Sequence, residues 1–90
     1  MRLLDIRNRY VYSLANLYDK SEAEKIFVMM AENIMEIKHT DYFRMKEKNV
    51  SAEFENLFEL ALERLKTAEP VQYILGYAWF LEYKIKVNNA

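Results

Sequence analysis

A mainly α fold is predicted, a small bundle of four to five helices followed by a C-terminal β-hairpin, and three observations predict it. Gly76 and Pro70 are the only glycine and proline in the chain, so polar connections, not breakers, must separate the elements of residues 1–69. Apolar side chains recur through that stretch at three- and four-residue spacing, the period of helices with one buried face. The 90 residues are 52% hydrophobic, and surface scaling lets a chain of this size bury roughly 65% of its unfolded surface, enough for one core without metal or disulfide support.

The first helix is expected from Leu3 to Tyr18, with Leu3, Leu4, Tyr10, Val11, Leu14, Leu17 and Tyr18 on one side and Asp5, Asn8, Arg9, Tyr12 and Asn16 opposite. Arg7 falls inside the apolar arc, where a charge needs a partner or a route to water. Its stem can pack while its head reaches solvent at the domain edge, or it can serve as a partner-binding arginine.

Ser21 and Glu24 have the spacing of a capping box opening a second helix. Ala23, Ile26, Phe27, Met30, Ala31, Ile34 and Ile37 form its stripe, which should run to about Lys38. Met29 lies on the polar side and Met35 at the margin, as gap-fillers or incidentally exposed groups, or else as an adaptable binding surface. His39-Thr40-Asp41 offers a cap for a short third helix through Tyr42, Phe43 and Met45. His39 is the only imidazole, so neither a metal site nor a catalytic constellation forms around it. Lys46 to Asn49 reads as a solvated connection.

Ser51 caps a fourth helix whose stripe is Phe54, Leu57, Phe58, Ala61, Leu62 and Leu65. Glu55, Glu59 and Glu63 form an acidic row on it, read as a solvated face closed by Lys66. The expected core is Leu14, Leu17, Ile26, Phe27, Met30, Ile34, Phe54, Leu57, Phe58, Ala61 and Leu65. In Glu69 to Gly76, proline at a first-turn position and glycine at the stop favour a fifth, short helix, although the composition of Val71-Gln72-Tyr73-Ile74-Leu75 also fits a strand. Tyr77 to Leu81 and Lys84 to Val87 suit two strands turning near Glu82-Tyr83.

Composition excludes several functions. With no cysteine, disulfide frameworks, thiolate metal sites and cysteine nucleophiles are absent. A net charge of −1 gives no electrostatic footprint for direct nucleic-acid binding. A single glycine leaves no loop to cradle a nucleotide-like cofactor. Asp5, Arg7 and Arg9 interrupt what would have to be the apolar run of a signal peptide, and no stretch has the length of a membrane span, so a cytoplasmic chain is expected.

The segment Glu69-Pro70-Val71-Gln72-Tyr73-Ile74-Leu75-Gly76, continued through Phe80 to Val87, resembles the junction of the release-factor glutamine methyltransferases, the HemK or PrmC family. The pattern there runs E-P-x-Q-Y-x-x-G, then F, then a short strand ending in valine. Thr40-Asp41 is similar to a pair that opens a short helix in that family. Trp79 stands where an acidic residue is usual, and Glu82 near a small turn residue, departures that bear on the turn type.

The resemblance implies a helical substrate-recognition domain over residues 1–76 and a hairpin linker over 77–90. It also implies an excised N-terminal domain whose Rossmann-like catalytic domain, with the S-adenosylmethionine loop and the N-P-P-Y motif, is absent. The full-length enzyme would methylate the glutamine of the Gly-Gly-Gln loop of class I peptide release factors, while the chain alone would be inactive and hold no catalytic, cofactor or metal residue. Its expected partners are the release factor and its own catalytic domain, and the residues expected to make those contacts are Arg7, Gln72, Tyr73, Trp79 and Phe80. Tyr73, Ile74, Trp79 and Phe80 are expected to form an apolar patch at the junction. The competing reading is a free-standing helical adaptor module.

Overall fold

A computed structural model describes residues 1–75, all helical or connecting. Five helices follow in order: α1 (Leu3–Ser13), α2 (Lys20–Met35), α3 (Tyr42–Met45), α4 (Ala52–Lys66) and α5 (Val71–Leu75), with a 3-10 turn at His39–Asp41 leading into α3. The expected helical bundle is present. The segment expected to form the hairpin, with Gly76, Trp79 and Phe80, lies outside the described residues.

α1 is shorter than its periodicity suggested. It ends at Ser13, and the chain then winds through turns in which the Leu14 carbonyl accepts from the amides of Leu17 and Tyr18, both at 2.9 Å. Leu17 therefore leaves the helical register and is 45% exposed instead of joining the core. The buried stripe of α1 is Leu3, Ile6 and Tyr10, continued by Leu14 beyond its end. Its centre is rotated toward Ile6, which the arc read from the sequence had left out.

The start of α2 also differs from expectation. Asp19, not Ser21, caps it, with its carboxylate accepting from the Glu22 amide at 2.8 Å. A charged acceptor at the positive end of the helix is the stronger cap, and Glu24 is thereby free to turn toward α1. α2 stops at Met35, because Glu36 adopts left-handed φ 55° and ψ 44°. This termination returns Ile37 to the edge of the core and leaves Lys38 outside the helix.

The connection 46–50 is more than a solvated link. The Leu3 amide donates to the Lys48 carbonyl at 3.1 Å, Leu4 to Lys46 at 2.9 Å, and the Val50 amide to the Met1 carbonyl at 2.8 Å. Two of the amide groups that the start of a helix leaves unpartnered are thus satisfied by a loop more than forty residues away. Arg2 adds an ion pair to Glu47 at 2.9 Å.

α4 behaves as its sequence indicates. The Ser51 hydroxyl accepts from the Phe54 amide at 3.3 Å, and Leu57, Phe58, Ala61, Leu62 and Leu65 are buried, with Phe54 half-buried at the margin. The turn after α4 passes through Ala68 at φ 63°, a left-handed position that costs an alanine roughly 1 kcal/mol. Arg64 and Glu69 bridge that turn with an ion pair. Residues 71–75 are helical, which resolves the helix-or-strand ambiguity, and α5 inserts Ile74, fully buried, against α2 and α4. Ile74 therefore belongs to the core and not to an exposed junction patch.

The core is organised around rings. Phe27 of α2 stacks on Phe58 of α4 at 5.7 Å and meets Tyr10 and Tyr42 edge-on at 5.6 and 5.8 Å. Tyr10 also meets Phe58 edge-on at 6.0 Å, and its hydroxyl donates to the Phe58 carbonyl at 2.5 Å. Burial pushes the Tyr10 phenol well above its ordinary value of 10.0.

Two consequences can be measured. Phe58→Ala should cost about 3–5 kcal/mol by removing a fully buried ring, whereas Leu17→Ala should cost less than about 0.5 kcal/mol, both read by denaturant unfolding. The phenol of Tyr10 keeps its proton in the folded state after the unfolded state has lost it, so stability should be complete below pH 10 and fall as pH rises beyond that. Tyr10→Phe should flatten this alkaline limb while costing about 1 kcal/mol at neutral pH for the lost hydrogen bond.

A candidate protein-docking groove

The two arginines of α1 find partners on other helices. Arg7, the cation inside the apolar arc, forms an ion pair with Glu24 of α2, and both side chains are only partly exposed. The acidic row of α4 is largely claimed by the N-terminal segment: Glu55 receives the Met1 amino group at 2.6 Å, and Glu59 pairs with Arg9. Glu63 keeps its expected local partner, Lys66, at 3.4 Å. The row is therefore mainly an interhelical clamp instead of a solvated face. Packing brings Arg9 of α1 and the amino terminus against α4, a juxtaposition that spacing within one helix cannot reveal.

Beside the Arg7–Glu24 pair, α2 and the α3 turn leave an open groove of about 600 Å³. Val28 and Met29, both half-buried, line its α2 side, and Tyr42 and Phe43 line the other. Phe43 is 75% exposed, edge-on to Tyr42 at 5.6 Å, with the Lys46 ammonium 6.0 Å from its ring centre. An aromatic ring held this far into water at a groove edge is the kind of group that anchors protein contacts.

The turn that presents Phe43 is fixed from below. The Asp41 carboxylate accepts from the Lys38 amide at 3.1 Å and from the Arg44 guanidinium at 3.0 Å. Those two donors, the amide foremost, hold its carboxyl below the ordinary aspartate value of 3.8. The cap expected for α3 within His39-Thr40-Asp41 is not made: Asp41 stands at its N-cap without a side-chain bond to it, and its carboxylate turns back to close the preceding 3-10 turn instead. Tyr42 packs inward against Phe27 while its hydroxyl is buried with no hydrogen-bond partner among the described residues. Burial raises that phenol as well.

Of the expected contact residues, Arg7 lines the groove through its pair with Glu24. Gln72 and Tyr73 are exposed on α5, Tyr73 at 63%, and neither lines the groove. Trp79 and Phe80 fall outside the described residues. His39 is an exposed residue at the groove edge. Among the described residues no three His, Cys, Asp or Glu side chains converge as a metal site would require, and no helix is long and apolar enough to cross a membrane. Sequence reasoning did not assemble the groove. Its signals were Met29 on a polar face and Phe43 in a short helix, two apolar side chains whose proximity depends on the α2–α3 turn.

Comparison with known proteins gives two matches. The model of the PrmC N-terminal domain matches residues 5–76. The release factor glutamine methyltransferase of Flavobacterium psychrophilum is 28% identical over 89 residues, covering 99% of this chain and 31% of the relative. The chain thus spans about a third of the length of that curated relative. No solved structure matches.

The Arg7–Glu24 pair is testable by a double-mutant cycle with Arg7→Ala and Glu24→Ala. A coupling of about 1 kcal/mol is expected for a partly buried interhelical pair, decreasing as salt is raised toward 1 M.

Proposed function

Because the chain belongs to the PrmC N-terminal domain family, we propose that it is the substrate-recognition domain of a protein-(glutamine-N5) methyltransferase, binding class I peptide release factors for methylation of the glutamine in their Gly-Gly-Gln loop. The family match over residues 5–76 carries this reading, supported by a relative whose name is release factor glutamine methyltransferase. In this reading residues 1–76 form the recognition domain and 77–90 lead to a catalytic domain, which supplies the S-adenosylmethionine site. The reaction takes place in the cytoplasm.

Methylating one side-chain amide within a large protein is chiefly a problem of placement. The nitrogen must sit in line with the methyl donor, and a contact remote from the reacting loop supplies binding energy and fixes orientation. A helical domain with its own aromatic core suits that task, because its surface is preorganised and little ordering entropy is lost on docking. The open groove beside α3 supports a recognition role over a purely structural one.

An amide-resolved titration of the chain tests this reading. S-adenosylmethionine should cause no saturable shifts, since one glycine leaves no loop to hold the cofactor. A class I release factor should bind weakly and saturably, as befits one small patch of a larger interface. Saturable cofactor binding would overturn the assignment of that site to the catalytic domain, and the absence of release-factor shifts at high concentration would overturn the recognition role.

A further inference from the structure

The groove beside α3 has a polarity along its length. Lys25, Val28, Met29 and Glu32 of α2 all line it, and the two charges stand two helical turns apart, about 10.5 Å along the helix. Neither Lys25 nor Glu32 has an ion-pair partner among the described residues, whereas Arg7 and Glu24 at the same groove neutralise each other. An apolar trough with Phe43 as its outer wall is therefore flanked by one free cation and one free anion. Tyr42, which lines the groove, has its hydroxyl buried without a partner among the described residues.

From this we infer that the groove docks one amphipathic α-helix of a protein partner, lying along α2, with two adjacent apolar residues over Val28 and Met29, an acidic residue facing Lys25 and a basic residue facing Glu32. Charge complementarity defines the occupant: its ridge reads acidic, then apolar three and four positions on, then basic seven positions on, in either chain direction. A trough requires a convex ridge to fill it. A second copy presents the same concavity, and two troughs facing each other would leave a void. The inference deepens the proposed function by giving the docking face, and it rests on that reading only in taking the release factor as the owner of the helix.

Helical peptides test the groove independently of the release factor. One carries Glu, two Leu three and four positions on, and Lys seven positions on; two controls carry Glu at both ends or Lys at both ends. The mixed-charge peptide should shift Val28, Met29 and Phe43 and bind roughly threefold to tenfold tighter than either control. Lys25→Glu should transfer the preference to the peptide with Lys at both ends. Phe43→Ala, at an exposed position that leaves the fold intact, should weaken all three at least tenfold. Equal binding of the peptides, or no shifts at the groove, would overturn the inference. Groove shifts that depend on protein concentration alone would overturn it in favour of a second copy. Release-factor binding lost in Phe43→Ala would support the release factor as owner of the helix. Retention of that binding, with the peptide preference intact, would overturn the ownership and leave both the groove and the recognition role standing.

Discussion

Phe27 is the ring on which the domain is assembled. It lies between Phe58, stacked, and Tyr10 and Tyr42, edge-on, so one side chain of α2 touches α4, α1 and α3. Edge-to-face and offset-stacked pairs gain energy beyond the area they bury, and their preferred angles restrict how the helices can cross. Methylene packing alone is less directional. The Tyr10 hydroxyl adds a second constraint, because its donation to the Phe58 carbonyl positions α1 against the backbone of α4 and not merely against its side chains. A buried donor left unmade there would carry its full desolvation cost, so the pairing selects one arrangement of these helices over near alternatives.

The same ring cluster explains why a four-residue helix such as α3 is present at all. A single turn is unstable in water by itself, since nucleation is costly and few hydrogen bonds follow. Here Tyr42 is held by Phe27, Asp41 caps the preceding turn, and the segment 46–50 is hydrogen-bonded to the first residues of α1. Three independent attachments immobilise a segment with little intrinsic helicity. Phe43 is thereby displayed in a fixed orientation beside α2, and rigid presentation of an aromatic side chain lowers the entropy lost on binding.

Charge is distributed to serve both tasks. The cations and amino terminus of the N-terminal segment are spent internally, against Glu24, Glu47, Glu55 and Glu59, which fixes α1 on two neighbours. Lys25 and Glu32 stay free on the groove. Exposed pairs contribute little to stability, so their value lies in register and selectivity.

The amino-acid order by itself determined the helical class, the α4 stripe with its Ser51 cap, the core positions of α2, and the E-P-x-Q-Y-x-x-G resemblance later matched by the family model. These are local properties: periodicity, capping chemistry and a short motif are written within a few turns of chain. What tertiary structure decided was nonlocal. The end of α1 at Ser13, which exposes Leu17, and the burial of Ile74 follow from the packing around them, since periodicity continues on paper wherever apolar residues happen to recur. The choice of Asp19 over Ser21 as a cap came from competition between two adequate acceptors, one of them charged. The acidic row looked solvated because its partners, Met1 and Arg9, lie more than forty residues away in sequence. The groove was the least legible feature, because Met29 and Phe43 belong to different elements and become neighbours only through the left-handed turn at Glu36 and the Asp41-capped turn that follows. A helical face can be read from spacing, but a cleft between two faces exists only once they are packed.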